Sequence, residues 1–339
     1  MFKNIDQFIE QALADFNPKQ RKVLLGRFGL KTGKRATLQE IGDELGITRE
    51  RVRQIEELGL KKLAPKIREG AASLIDGATA YLANVGGVRR DDNFIQDVKQ
   101  RLVGNVDVRY LDQKLRFVFI TAGAPLYHRE DDAMNSFWYA DETAKKKFVE
   151  FVKQMTQFFK SNDRRAIIDD KAYLAQCKDL ASLHFLSIPK HFSVNVFGDV
   201  GLSVWPEITP KTVRDKAYLV LRKHNEPLHF VDIAKHISKY GIDKSAAHVQ
   251  TVHNELIKDD RFVLVGRGIY GLKEHGYEPG TVREVIARLL KKEGPLSSGE
   301  VVKLVNSQRF LKENTILLAL QNRRHFKRLD DGRYHAKEA

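Results

Sequence analysis

The chain has 339 residues, 42% of them hydrophobic and 9% aromatic, with a formal net charge of +14 and a pI near 9.6. That length exceeds one small core, and that apolar content excludes a wholly disordered chain. The charge points to a polyanionic partner, double-stranded DNA foremost, and no apolar run approaches the roughly eighteen residues a membrane helix needs.

The charge is uneven along the chain. Residues 1–70 hold 15 Lys and Arg against 10 Asp and Glu, residues 71–210 hold 18 against 18, and residues 211–339 hold 25 against 16. The ends are therefore expected to touch DNA, and the neutral middle to act as a spacer or a protein-binding part. The single cysteine, Cys177, has no partner for an internal disulfide and fits a reducing cytoplasm, with association with the nucleoid expected from the charge.

Residues 2–16 carry Phe2, Ile5, Phe8, Ile9, Leu13 and Phe16 among acids, the pattern of a first amphipathic helix and not of a signal peptide. Asn17 and Pro18 are suited to open a second helix, with Val23, Leu24 and Phe28 as core and Gly29 as its stop. Thr37-Leu38-Gln39-Glu40 then has the spacing of a capping box. Leu38, Ile41 and Leu45 fall on one face of the helix it starts, and Gly46 permits the left-handed turn that ends it. Thr48 caps a further helix whose apolar positions are Val52, Ile55, Gly59 and Leu63. Its opposite stripe carries Arg49, Glu50, Arg53, Gln54 and Lys61. This is a helix-turn-helix with a polar recognition face. Arginine pairs with guanine, glutamine with adenine, and glutamate accepts from cytosine, each contact contributing roughly 1–3 kcal/mol of discrimination.

The stretch from Asn17-Pro18-Lys19-Gln20 through Arg27-Phe28-Gly29-Leu30 to Thr48-Arg49-Glu50-Arg51-Val52-Arg53-Gln54-Ile55-Glu56 closely resembles region 4 of bacterial sigma factors. The resemblance covers about residues 10–68. It implies promoter reading and docking on RNA polymerase, with Arg49, Glu50, Arg53 and Gln54 facing bases and Thr37 holding a phosphate. The sequence departs from the family at Glu57-Leu58-Gly59, and Pro65 to Gly70 reads as the exit into a new domain. No aromatic-rich region of the kind that family uses to melt promoters is present, so a complete sigma factor is not expected.

From 71 to 141 the pattern is helices followed by a hairpin. Phe94, Ile95, Val98 and Leu102 share one face, as do Leu111, Leu115 and Val118. The β-rich runs Leu126-Tyr127-His128 and Phe137-Trp138-Tyr139 predict a two-stranded wing. Glu130-Asp131-Asp132 between them reads as a solvated wing tip rather than a metal site, for no third ligand lies at a useful spacing. Residues 142–209 look like a second, less regular version. A helix begins near Lys145-Lys146-Lys147 with Phe148, Phe151, Val152, Met155 and Phe158 apolar, and a hairpin is expected over Phe197–Leu202 with Val204 and Trp205. The lysine triplet suits either a solvated helix start or a phosphate contact.

The last third is an internal duplication. Val213-Arg214 precedes Pro227-Leu228 as Val282-Arg283 precedes Pro295-Leu296, and the copies end in Gly268-Ile269-Tyr270 and Gly332-Arg333-Tyr334. Each copy reads as helix, short strand, helix, helix and β-wing. The first copy's Thr212–Leu221, Pro227-Leu228-His229-Phe230, Thr251–Leu256 and Val265–Leu272 resemble the HARE-type winged helix, as in the RNA polymerase delta subunit. That resemblance implies contact with DNA or the transcription machinery, not a reaction. Ser245 to Lys258 would be the recognition helix, with Val249, Val252 and Leu256 inward and His248, Thr251, Asn254 and Lys258 outward. Arg267 at the wing turn is suited to a phosphate or a minor groove. In the second copy Arg323, Arg324, Lys327, Arg328 and Arg333 cluster at the third helix's end and wing, as a phosphate grip.

The expected fold is mainly α: a helix-turn-helix domain (1–70), winged helix-like domains (71–141 and 142–209), a HARE-type winged helix (210–275) and a C-terminal winged helix (279–337). No phosphate loop, paired-cysteine zinc pattern or serine elbow is found, so neither an enzyme nor a cofactor is expected. The expected function is transcription-related DNA binding. Alternatives are an RNA polymerase-associated adaptor and a non-catalytic DNA-targeting subunit of a DNA-processing or defence system.

Overall fold

The structure, a computed structural model, describes residues 4–104, 106–177, 179–243 and 246–337. Phe2 and Ser245, both part of the expectations above, lie outside the described residues. Two compact units are present: Met1–Ser193 with Val200–Ser203, and Val194–Asp199 with Val204–Ala339.

The first unit opens with α1 (Ile5–Ala12), α2 (Pro18–Phe28), α3 (Leu38–Leu45) and α4 (Arg49–Gly70). The helix α1 is shorter than the helix expected over residues 2–16, but local chemistry starts α2, α3 and α4 as expected. Asn17 and Gln20 close a reciprocal capping box on α2, Thr37 and Glu40 one on α3, and the Thr48 hydroxyl accepts from the Arg51 amide at 3.2 Å. Gly29 and Gly46 end their helices at φ +62° and +65°, conformations that cost glycine little.

The helix α4 departs from expectation. It does not end before Pro65 but runs 22 residues to Gly70. Leu63 and Ile67, both fully buried, hold its far half in place despite the amide that Pro65 lacks. Gly59 serves close packing, because a Cβ there would stand 3.1 Å from a Leu24 methyl.

Next come α5 (Ala72–Asn84), β1 (Val88–Arg90), α6 (Asp91–Val98) with a π-helical extension over Lys99–Val103, α7 (Leu111–Ala122), β2 (Leu126–His128) and β3 (Phe137–Tyr139). The strands pair antiparallel in the order β1-β3-β2, so helix, strand, two helices and a two-stranded wing succeed one another as in a winged helix. The core, however, does not divide at residue 70. One cluster runs from Ile5 through Leu63 and Ile67 to Phe117 and Trp138.

In a winged helix the third helix is the usual groove reader, but here α7 is packed into the core along most of its surface and has no fully exposed residue. Leu115, Phe117, Val118 and Phe119 are fully buried, and the Phe117 ring meets that of Phe28 at 5.0 Å. Polar ties fix α7 to the head: the Gln113 amide donates to the Gly33 carbonyl at 2.7 Å, Arg68 donates to the Ala122 carbonyl at 2.7 Å, and Lys114 pairs with Asp6. Trp138, expected in a wing, is fully buried, and its indole donates to Asp91 at 2.7 Å.

The helix α8 (Glu142–Ser161) buries Phe148, Val152, Met155 and Phe159, the last not anticipated, while Phe158 is half-buried. Then follow α9 (Arg164–Ile168), a 3-10 turn over Ala172–Gln176, α10 (Leu180–Phe185), and the hairpin strands β4 (Phe192–Val194) and β5 (Val200–Leu202). The hairpin begins earlier than expected. The Asn195 side chain accepts from the Phe197 and Asp199 amides and so makes the turn, leaving Trp205 buried beyond the strands.

In the second unit the two copies repeat one topology. The first has α11 (Val213–His224), β6 (Leu228–His229), α12 (Phe230–Lys239), α13 (Val249–Lys258), β7 (Phe262–Gly266) and β8 (Ile269–Leu272), with strand order β6-β8-β7. The second has α14 (Val282–Glu293), α15 (Ser298–Asn306), α16 (Glu313–Leu320), β9 (Phe326–Arg328) and β10 (Tyr334–Ala336). There Leu296 bridges Tyr334 as Leu228 pairs with Tyr270, so the duplicated Pro-Leu marks the same strand position in both. Each copy has its own apolar core. Among the described residues no helix is long and apolar enough to cross a membrane.

Candidate nucleic-acid interface

The head's helix-turn-helix is set by a small core of Val23, Ile41 and Val52 beneath α3 and α4. The turn is tight at Gly42, where a Cβ would lie 2.7 Å from the Ile47 carbonyl oxygen. Arg49, Glu50, Arg53, Gln54 and Lys61 are all exposed on α4. All but Arg49 are tied by hydrogen bonds into a row rather than standing as independent readers. Arg53 donates to Glu50 at 2.8 Å through Nη2 and to Glu57 at 3.1 Å through Nη1, and Lys61 reaches the other Glu57 oxygen at 3.0 Å. Arg51 donates to the Gln54 carbonyl at 3.1 Å. The hydrogen bond from Arg53 holds the Glu50 carboxyl below the usual carboxylate range, and the Glu50 carboxylate raises the Arg53 guanidinium's pKa. Arg53 is therefore held along the exposed face of α4 between two carboxylates. Thr37 is exposed at the start of α3; its oxygen accepts from the Glu40 amide at 3.1 Å, and its side chain also hydrogen-bonds the Glu40 carboxylate, so the hydroxyl is engaged in the cap.

In the first winged copy, α13 begins at Val249, with His248 as an exposed N-cap that makes no side-chain cap bond. Thr251, Asn254 and Lys258 are exposed as expected, Asn254 accepting from Gln250 at 3.1 Å and Lys258 meeting Glu255 at 3.2 Å. Val249 differs from expectation: it is 37% exposed at the first residue of α13, whereas Val252 and Leu256 are buried. Arg267 is exposed at the β7–β8 turn, beside Gly268 at φ +71°. In the second copy Arg323, Lys327 and Arg328 line one cleft of about 600 Å³ together with Lys337, a cation that sequence reading left out. Arg324 and Arg333 do not line it, and Arg333 is held by Asp331 at 2.7 Å. The acidic wing tip carries no metal constellation among the described residues, and Asp131 instead accepts from the Ala133 and Met134 amides.

Sequence reading also missed Arg35 and Arg129. Arg35 stands two residues before the Thr37 cap, a signal that was available. Arg129, next to three acids, gave none.

A helix-turn-helix followed by winged helices defines a chain built of DNA-binding-type domains, mainly helical with small antiparallel sheets. Residues 12–64 are a sigma-70 region 4 domain, matching the family described as Sigma-70, region 4. Residues 211–275 match the HARE-HTH family, a helix-turn-helix domain whose description names ASXL and restriction endonuclease among its sources. Among curated relatives, the RNA polymerase sigma factor SigA of Clostridium acetobutylicum is 44% identical over 62 residues, 18% of this chain and 16% of that protein. Sigma factor sigB of Arabidopsis thaliana is 42% identical over 62 residues, 18% of this chain and 11% of its own length. SigA of Nostoc is 47% identical over 55 residues, 16% of this chain and 14% of that protein. The chain thus spans about a sixth or less of the length of these relatives.

Proposed function

We propose that this protein is a non-enzymatic, transcription-related protein of the bacterial cytoplasm that reads duplex DNA through α4 and grips flanking backbone with its basic C-terminal copy. The exposed row on α4, with Arg53 oriented between Glu50 and Glu57, carries the reading. Arginine so presented suits the O6 and N7 edge of guanine, while Gln54 suits adenine. Arg323, Lys327, Arg328 and Lys337 supply sequence-independent affinity for phosphates. The named relatives of the head are RNA polymerase sigma factors, and RNA polymerase is accordingly the proposed protein partner.

The test is selection of duplexes from a random pool by the full chain. Substitution is the right perturbation, because removing residues 1–70 would strip the shared core from Phe117 and Trp138. A sharp motif is expected, with Arg53→Ala relaxing one position at a cost of about 1–3 kcal/mol. Arg328→Ala should weaken all duplexes alike. Equal loss on selected and scrambled duplexes for Arg53→Ala would overturn the assignment of α4.

A further inference from the structure

We propose that a cleft between the head and the wing of the 71–141 domain is a seat for a DNA backbone phosphate flanking the α4 site, with Arg35 and Arg129 as its ligands. The proposal rests on the reading of α4 as the groove-facing helix. The cleft has a volume of about 380 Å³ and takes its walls from both parts of the first unit. The head contributes Arg27, Arg35 and Glu56; α6 and α7 contribute Asp91 and Arg116; the wing contributes Arg129 and Glu130.

By residue count this lining is nearly balanced, but the pairing is not. Glu56 accepts from Arg27 at 2.7 Å, and Asp91 accepts from Arg116 at 2.8 Å. Glu130 is met by Lys190 at 2.7 Å. Every carboxylate in the cleft therefore has a cation of its own. Two guanidiniums are left over: Arg35 and Arg129 are exposed, and neither makes a hydrogen bond or ion pair among the described residues. An anion entering the cleft meets two unspent arginines without having to break an existing pair.

The position identifies the anion. Arg35 precedes the α3 cap at Thr37 by two residues, and Glu56 lies one helical turn beyond Arg53, on the flank between the polar row and the buried side of α4. A duplex laid against α4 passes a backbone strand along that flank. The phosphodiester is a monoanion with two free oxygens, a match for guanidinium forks. With α7 buried, the 71–141 domain cannot use the helix that winged helices usually lay in a groove. Its wing is the part that remains, and Arg129 is the cation on it that lines the cleft. The neutral middle of the chain thereby extends the head's contact with DNA.

The experiment measures duplex affinity of the full chain against salt for the wild type, Arg35→Ala, Arg129→Ala and Arg53→Ala, on the duplex enriched from the random pool and on its scramble. Both cleft arginines are exposed and unpaired, so thermal unfolding of these variants should match the wild type. Loss of one phosphate contact should make the affinity lost over a fourfold rise in salt about 3.5-fold smaller, equally on both duplexes. A scan of single neutral methylphosphonates beside the motif then locates the contact: one position should weaken wild type and leave Arg129→Ala unaffected. If Arg53→Ala relaxes sequence choice while Arg129→Ala leaves affinity and salt dependence intact, the phosphate seat is overturned and the reading of α4 stands. If Arg53→Ala changes neither duplex, the reading of α4 fails and the seat fails with it.

Discussion

Arg309 offers a direct test of how the two winged copies of the second unit are held together. It is only 4% exposed, and its Nη2 donates to the carbonyls of Glu278 at 2.7 Å and Gly280 at 2.9 Å, while Nη1 donates to that of Leu264. The next amide, Phe310, donates to the Val265 carbonyl at 2.8 Å, and Phe310 pairs in parallel with Gly266. One side chain from the α15–α16 loop thus spans the β7 strand and the segment joining the copies. Arg309→Ala removes three charge-assisted donors, each contributing about 1.5 kcal/mol net at the low end of the usual range. Relief of the buried cation's desolvation offsets part of that sum. A net loss of about 3 kcal/mol for the contact between the copies follows, equivalent to roughly a hundredfold in local opening. Hydrogen exchange read by mass spectrometry on the full chain measures it. The Phe310 amide should lose about a hundredfold in protection, whereas Leu289 and Val301, within the second copy's own core, should stay near wild type. Unchanged protection at Phe310 would show that the pairing at Gly266 holds without Arg309 and would refute the strut.

Two more substitutions probe how the head and the first winged copy are built. Gly59→Val would push a branched Cβ against Leu24, whose methyls stand 3.1 and 3.3 Å from the Cβ site, at a cost of about 1–3 kcal/mol from overpacking. A thermal midpoint equal to wild type would mean that α4 does not need that close approach. In the first winged copy the hydrogen bond from Arg261 holds the Asp259 carboxyl below the usual carboxylate range, at an Nη2–Oδ2 distance of 2.7 Å. A depressed folded-state pKa stabilises the fold above the unfolded value of about 3.9 and ceases to do so as pH falls through the folded value. Urea unfolding should therefore show stability flat in this respect from pH 7 to about 5 and declining below about 4, with a shallower decline in Asp259→Asn. An identical acid slope in that variant would remove Asp259 from the account.

The parts of this fold that sequence could specify are those written in short-range chemistry. Asn17, Thr37 and Thr48 each cap a helix through atoms three residues away, and Gly29 and Gly46 end helices through their own φ angles. The strands at 126–128 and 137–139 were equally legible, since short runs of residues that favour strands need only a neighbour to pair with. What escaped was decided by distant residues. Gly59 and Pro65 both weaken a helix locally, yet α4 passes through them because Leu24 demands a close approach and Leu63 and Ile67 are buried against the following domain. Trp138 belongs to the core because Asp91, 47 residues earlier, accepts from its indole. For α7 a signal was present: Phe117 and Phe119 lie off the face formed by Leu111, Leu115 and Val118, and apolar residues beyond one face mark a helix packed on more than one side.

Charge was the least legible property, for a physical reason. The middle of the chain sums to zero because much of its charge is spent internally, as where Arg89 meets Asp97 at 2.9 Å and Arg116 meets Asp91 at 2.8 Å, both largely buried. A segment total counts those buried pairs and the exposed Arg129 alike, although an exposed, unpaired cation attracts a polyanion more strongly than one spent in an internal pair. The same holds in reverse at the wing tip, where Glu130 next to Arg129 reads as acidic but is neutralised by Lys190, sixty residues on. Net charge by segment thus located the basic ends and overlooked a pair of arginines, 94 residues apart in sequence, that the packing of α7 against the head brings to one cleft.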